Sequence, residues 1–425
     1  MSQGHLRRLG PTAAAAILGA LWLVPTVDAA GTFGYRKAIT VNGVVGGPHA
    51  SFPVLVSLVD PDLRTGVFGG KVASPGGYDI VFRGEDPATC GGPPACTLDH
   101  EIERWDGASG ALLAWVRVPS LSAGTVIYMY YGDNRATSSR EAPQAVWDAD
   151  YVGVWHLEEA HNAAVKGYRD SSPYRNHGRG KIGAGQRFDD ADGTYDLIDG
   201  GDDGTLHVAG DQITLQAWVR HDITIDAAHG TPPSTGNPYG ILNHKGWSDG
   251  YNLELQGEAF SCPGGAISEP CLVFNLPGST HSLRTSQAAA LGPNVWHHVV
   301  ATYDGATMNV YVDGVSEGSL PKTGNVAPSV ADQGMWIGHG DQPDGKAWSA
   351  QYEGDLDEIR ISRVARSADW IATEYANQSS PGTFYVVGAQ IAGPYVVDTL
   401  TVNYRSIGTA GALYSAGDAS VAVGG

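Results

Sequence analysis

The stretch from Trp296 to Gly314, WHHVVATYDGATMNVYVDG, constrains the fold of this chain more than any other. Two runs rich in β-branched and aromatic residues, Trp296–Tyr303 and Met308–Val312, flank Asp304-Gly305, and Asp313-Gly314 closes the second run. An Asp-Gly pair supplies the positive-φ residue that a tight reversal needs, so the pattern predicts a β-hairpin. Met308, Val310 and Val312 alternate with Asn309, Tyr311 and Asp313, which gives one core-facing row and one polar or amphipathic row. His297 and His298 are adjacent, so on a strand they point to opposite faces and cannot share a metal ion. Such a hairpin fits an antiparallel sandwich. With 58 Gly and 24 Pro among 425 residues and many short alternating runs, the expectation extends to an all-β chain of two or three domains.

The first residues read differently. Arg7 and Arg8 precede an apolar run from Ala13 to Val24, followed by Pro25 and the small-residue site Val27-Asp28-Ala29. This predicts a signal peptide over 1–29, since a membrane anchor needs about 20 apolar residues. Losing two arginines and one aspartate with it moves the formal charge from −19 to −20. A chain this acidic repels phosphate backbones, so nucleic acid is a poor partner. In an exported protein the local pairs Cys90/Cys96 and Cys262/Cys271, each in a Gly/Pro-rich loop, predict two loop-closing disulfides rather than a zinc knuckle.

Strand-like runs from YRKAITV to VIYMYYG place a β-sandwich over 30–137, and SSREAPQAVWDA (138–149) reads as a polar linker. A second sandwich spans 150–391. It starts at YVGVWHLEE, where Val152 and Val154 alternate with Gly153 and Trp155, and FYVVGAQI (384–391) reads as its closing strand. Ala365–Tyr375 has helical spacing. Residues 392–425 read as the opening of a further, truncated β segment.

Several of these runs share wording with known modules. WHHVVATYDG, VWHLEE, the run Asp170–Gly178, ITLQAWVR, WIGHG and YEGDLDEIRISRVARSADWI occur in the order found in laminin-G-like, concanavalin A-like jelly rolls, which the chain resembles over roughly 150–390. The series YDIVF, EIERWD, AWVRVPSL and IYMYYGD resembles an exported family known as domain of unknown function 2341, which commonly precedes such jelly rolls. The resemblance implies an N-terminal β-sandwich followed by a jelly-roll sandwich, and it brings no activity for the first.

Candidate chemistry sits on a few residues. Glu353, Asp355 and Glu358 fit E-x-D-x-x-E, resembling the signature of family-16-type jelly-roll glucanases, whose retaining chemistry needs two carboxyls about 5 Å apart. Bringing both glutamates to one face requires a bulge. The same stretch resembles the non-catalytic G-x-x-D-E-[IV]-R strand of laminin-G-like modules. Glu101 and Glu103 share a strand face, as an acid–base pair or as partners of Arg104 and Arg117. Gly246–Gly250 matches G-x-S-x-G by accident, because the following YNLELQ alternates as a strand rather than a helix.

Aspartates crowd residues 189–203, and hard oxygen donors in a Gly-containing loop suit Ca²⁺. The jelly-roll resemblance implies a structural calcium at Asp357, with Asp170 in the corresponding early loop, and the acidic segment itself offers Asp192 as a ligand. Turn formation and solubility account for any one of them equally well. Trp247, Tyr239 and Trp348 lie in Gly/Ser/Asp-rich loops, either as sugar-stacking platforms or as loop anchors. The reading is a secreted or surface-attached recognition protein for carbohydrate or a glycoconjugate. An adhesin or spacer segment and a glycoside hydrolase are the alternatives.

Overall fold

The computed structural model describes residues 31–92, 95–159, 167–175, 177, 179–180, 187–188, 196–201, 204–221, 239–244, 250–256, 271–277, 282–285, 291–326, 334–339, 352–397, 405–407 and 413–415. Its strands are β1 Gly31–Val41, β2 His49–Val59, β3 Val81–Gly84, β4 Cys96–Leu98, β5 His100–Asp106, β6 Ala111–Leu121, β7 Val126–Tyr131 and β8 Tyr151–Trp155. There follow β9 Arg179–Gly180, β10 Arg187–Phe188, β11 Ile198–Gly201, β12 Ile213–His221, β13 Tyr239–His244, β14 Asn252–Gln256, β15 Cys271–Asn275 and β16 Ser282–Arg284. The remainder are β17 His297–Tyr303, β18 Thr307–Val312, β19 Val315–Pro321, β20 Met335–Ile337, β21 Gly354–Ser362, β22 Tyr385–Val387, β23 Ile391–Val397, β24 Arg405–Ile407 and β25 Leu413–Ser415. Four short helices intervene: α1 Pro87–Cys90, α2 Pro143–Val146, α3 Ala368–Ser379 and α4 Pro381–Phe384.

The architecture is all-β, two sandwiches in succession. In the first, the sheet β22-β1-β7-β3-β4 faces the three-stranded sheet β2-β6-β5. Ile39, Val41, Phe82, Ile127 and Met129 meet Phe52, Val54, Val56, Ala114 and Val116 in a shared core. The Cys90–Cys96 disulfide ties α1 to β4. The second sandwich packs β10-β21-β12-β17-β18-β19, with β8 beside β21, against β16-β15-β14-β13-β20-β11-β9. Leu215, Ala217, Val299, Ala301, Val310 and Leu356 interdigitate with Leu242, Leu253, Leu255, Phe274 and Ile337 between them. The predicted hairpin is β17–β18, with Gly305 at φ 91° in its turn, and Asp313-Gly314 (φ 51° and 79°) reverses the chain again into β19. Met308, Val310 and Val312 face the core as the alternation predicts.

Three expectations change. Val152 and Val154 do not share a face: Ile361 pairs with Gly153 and Ser362 with Tyr151, so Val152 is a bulge residue. It enters the jelly-roll core, while Val154 joins Tyr151 on the opposite side. The stretch read as a polar linker carries α2, and Val146 and Trp147 are fully buried with Leu55, Trp115, Tyr151 and Val154. The run read as the closing strand of the jelly roll instead forms β22, which pairs with β1 of the first sandwich.

The cause of that exchange is α3. Ser367 caps it by accepting from Trp370 N–H, and its residues are buried on several sides. Trp370 packs on Phe52 of the first sandwich, at 4.6 Å between ring centroids. On another side Tyr375 stacks on Trp218 and Ile371 meets Val300 and Tyr311 of the jelly roll. Asn377 accepts from Leu55 N–H at 2.7 Å and donates to Leu55 C=O at 3.0 Å. The Tyr385 hydroxyl does the same for Ser57, at 2.7 Å each way. Side chains thus occupy hydrogen-bonding positions along the edge strand β2, one of the ways sheets avoid open edges.

Residues Thr32–Tyr395 form one compact unit. Separately, β24 and β25 pair antiparallel. The predicted signal peptide lies outside the described residues. No helix among the described residues is long and apolar enough to cross a membrane.

Candidate functional site

Among the described residues, a dense polar cluster lies where the outer face of β2-β6-β5 meets β8, β21 and α3. A bulge starts it on the first sandwich: Ile102 pairs with Ala114 and Arg104 with Leu113, leaving Glu103 as the extra residue of β5. Glu101 and Glu103 are both nearly buried, with side chains 3% and 6% exposed. A second bulge serves the jelly roll. Gln216 pairs with Arg360 and Trp218 with Asp357, so Glu358 and Ile359 stand opposite Ala217 alone. Glu358 takes a left-handed conformation, φ 50°. Ile359 stays in the core while Glu358 and Arg360 come together on the other side.

His156, just after β8, sits at the centre. Its Nδ1 lies 2.9 Å from Glu358 Oε1 and 3.6 Å from Glu103 Oε2, and its Nε2 is 3.4 Å from Glu101 Oε2. The ring stacks on Trp115 at 5.8 Å and tilts against Trp147 at 5.7 Å. Each carboxylate has its own support. Trp147 Nε1 and the Ser171 hydroxyl donate to Glu101 at 3.2 and 2.6 Å. Trp115 Nε1 donates to Glu103 at 2.8 Å. Arg360 donates to Glu358 at 2.6 Å and to Glu374 of α3. Its guanidinium lies 4.4 and 4.7 Å from the centroids of the Trp115 and Trp147 rings.

Electrostatics follow from burial and crowding. Burial lowers the His156 pKa, but the charges of Glu358, Glu103 and Glu101 outweigh it and hold the imidazole well above its ordinary value. Burial likewise opposes ionisation of Glu101, yet His156, Ser171 and Arg169 carry it down to about 2. Glu103 goes the other way: burial, with the charges of Glu358 and Glu158, pushes it up to about 7. Burial and the neighbouring Glu358 and Glu103 push Asp357 to about 8. The site holds more carboxylates than cations, and the surplus charge falls on Glu103 and Asp357.

Two of the three carboxylates read as a glucanase signature are engaged in ion pairs. Asp355 pairs with Arg220, whose Nε donates at 2.7 Å. Glu358 is 11% exposed and bound to His156 and Arg360, and Glu353 lies at the head of β21. Retaining hydrolysis needs two carboxyls about 5–5.5 Å apart across a sugar, and here Asp355 and Glu358 are each held by a cationic neighbour. Asp170 is fully buried; it accepts from Val154 N–H, Ser172 N–H and the Ser172 hydroxyl at 2.7–2.8 Å, an anchor for the loop after β8. Asp357 accepts from Glu358 N–H at 2.9 Å. Tyr239 is half-buried against the jelly-roll core. Asp192, Trp247, Trp348 and Cys262, the partner expected for Cys271, lie outside the described residues.

Arg104 and Arg117 lie near Glu158 and Asp99, at 3.8 and 3.7 Å, rather than serving as the partners of Glu101 and Glu103. Sequence reasoning missed His156 and Arg360 as partners of those carboxylates. The available signal was the Glu358–Arg360 spacing of two beside the Glu101–Glu103 spacing of two.

Two sequence families match. Residues 192–372 match the concanavalin A-like lectin/glucanases superfamily, and residues 94–162 match a domain of unknown function, DUF2341. Comparison with curated proteins returns no match. Among solved structures, the binding domain of Paraclostridial Mosquitocidal Protein 1 is 11% identical with a TM-score of 0.36, over 54% of this chain and 52% of that one. The Botulinum neurotoxin serotype D binding domain is 14% identical with a TM-score of 0.36, over 56% and 53%. Domain 4 of AbnA, an extracellular arabinanase from Geobacillus stearothermophilus in complex with arabinotriose, is 18% identical with a TM-score of 0.31, over 47% and 81%. This chain spans about half the length of the two toxin binding-domain chains it matches.

Proposed function

We propose that this chain is an extracellular, non-catalytic recognition protein whose jelly roll takes carbohydrate or a glycoconjugate, with the first sandwich as a rigid mount. One observation carries the reading. A module matching a lectin/glucanase superfamily holds two of its three candidate carboxylates in ion pairs, Glu358 with His156 and Arg360, and Asp355 with Arg220. Carboxylates held this way support binding over glycosyl transfer. The Cys90–Cys96 disulfide supports an oxidising, extracellular setting.

The test is a screen of the whole chain on a glycan array, followed by reducing-sugar release on every glycan retained. Retention without release supports the reading, and release abolished in Glu358→Gln overturns it. A second reading, a stiff spacer in a surface protein, is favoured by the buried junction and the Asn377 and Tyr385 clamps between the sandwiches. It predicts no glycan retained at all.

A further inference from the structure

The junction has features that ion pairing alone does not require. The donor atoms of Glu103, His156 and Glu358 lie within 4.8 Å of one another. His156 Nδ1 is 2.9 Å from Glu358 and 3.6 Å from Glu103. These values bracket the separation of about 3.3 Å between ligand atoms around a tetrahedral ion with bonds of about 2.0–2.1 Å. Each of the three is also oriented from behind. The Nε2 side of His156 faces Glu101, itself fixed by Trp147 and Ser171. Glu103 is fixed by Trp115 and Glu358 by Arg360. A histidine whose far nitrogen meets a carboxylate is the usual outer-shell arrangement of a metal ligand, because it fixes both tautomer and ring orientation.

We propose that Glu103, His156 and Glu358 form a divalent-cation site that takes a first-row transition ion of the zinc class. The ligand set decides the class. Calcium takes six to eight oxygens, whereas an imidazole nitrogen with two carboxylates suits zinc and its neighbours. The site uses none of the residues of the calcium expected at Asp357, Asp170 and Asp192, although Asp357 adjoins it, and it does not depend on the carbohydrate reading. On binding, the ion replaces the Nδ1 proton of His156, which leaves to solvent, and the Nε2 proton stays directed at Glu101. The surplus carboxylate charge is then neutralised by the cation. The ion would join β5 of the first sandwich to β8 and β21 of the second, acting as a staple across the junction.

The test uses the whole chain after treatment with chelator and dialysis. Zinc is titrated calorimetrically, cobalt is added separately for its visible spectrum, and thermal unfolding is followed with and without metal. One equivalent of zinc, a tetrahedral-type cobalt spectrum and a raised melting temperature are expected. Glu103→Gln keeps an oxygen to accept from Trp115 but loses the anionic ligand, and it should bind at least tenfold more weakly while still folding. Substoichiometric zinc uptake overturns the proposal. So does uptake that Glu103→Gln leaves unchanged, since the ion then sits elsewhere.

Discussion

Replacing Asn377 with alanine probes how α3 holds the two sandwiches together. In the native structure Asn377 satisfies both the N–H and the C=O of Leu55, on the outer edge of β2, and it is 1% exposed. Alanine leaves both backbone groups unpaired in a buried seam. Each stranded group costs about 1–3 kcal/mol, less where water can enter. The better helix propensity of alanine returns about 0.5 kcal/mol. The expected net loss is about 1.5–5.5 kcal/mol, toward the lower end where water enters, a large share of the 5–15 kcal/mol typical of a folded domain. Urea unfolding followed by tryptophan fluorescence reads the loss, and hydrogen exchange of the Leu55 amide reads its location. Tyr385→Phe, which removes the analogous bridge to Ser57, should cost about 1–2 kcal/mol. A loss below about 0.5 kcal/mol for Asn377→Ala, with Leu55 still protected, would refute the side-chain clamp.

Two further predictions concern the junction and its flanking loop. In metal-free protein, Glu103 and Asp357, raised from 4.5 and 3.8 to about 7 and about 8, contribute fully only below their unfolded values and lose that stability as pH rises. The lowered His298 and His100 oppose them below 6.5, so the net fall is expected between pH 6.5 and 8. Glu101, lowered from 4.5 to about 2, adds an opposite loss only as pH falls through that window. Urea midpoints across pH 6.5–8 check this, and Glu103→Gln should flatten the slope; a flat wild-type profile contradicts it. Asp170→Ala should cost about 3 kcal/mol through the bonds to Val154 and Ser172. That cost should be equal with and without chelator; if it shrinks in chelator, Asp170 is a calcium ligand instead.

The β17–β18 hairpin was legible because its information is local: Asp304-Gly305 sets the reversal and the Met308–Val310–Val312 row sets the register. The two sandwiches were legible for the same reason, through alternation and module wording. The junction was not. Its members come from β5, β6, the segment after α2, the end of β8, β21 and α3, and pattern along the chain does not say which outer faces meet. Bulges hid it further. Glu103, Val152 and Glu358 each break the period of two that strand reading relies on. Val146 and Trp147 looked like linker residues because four residues of α2 are too few to show a helical period. Glu358 was singled out for glucanase chemistry, but its meeting with His156 depends on the long-range pairing of β8 with β21, and its meeting with Glu103 on how the first sandwich docks.

The most direct measurement of the central claim is a calorimetric titration of the whole chain with soluble polysaccharides retained on the array, with reducing ends counted in the same samples. The account predicts saturable heat and a constant number of reducing ends, both unaffected by Glu353→Gln. Reducing ends that accumulate with time and vanish in Glu353→Gln or Glu358→Gln would contradict it, and so would the absence of heat with every glycan on a folded protein.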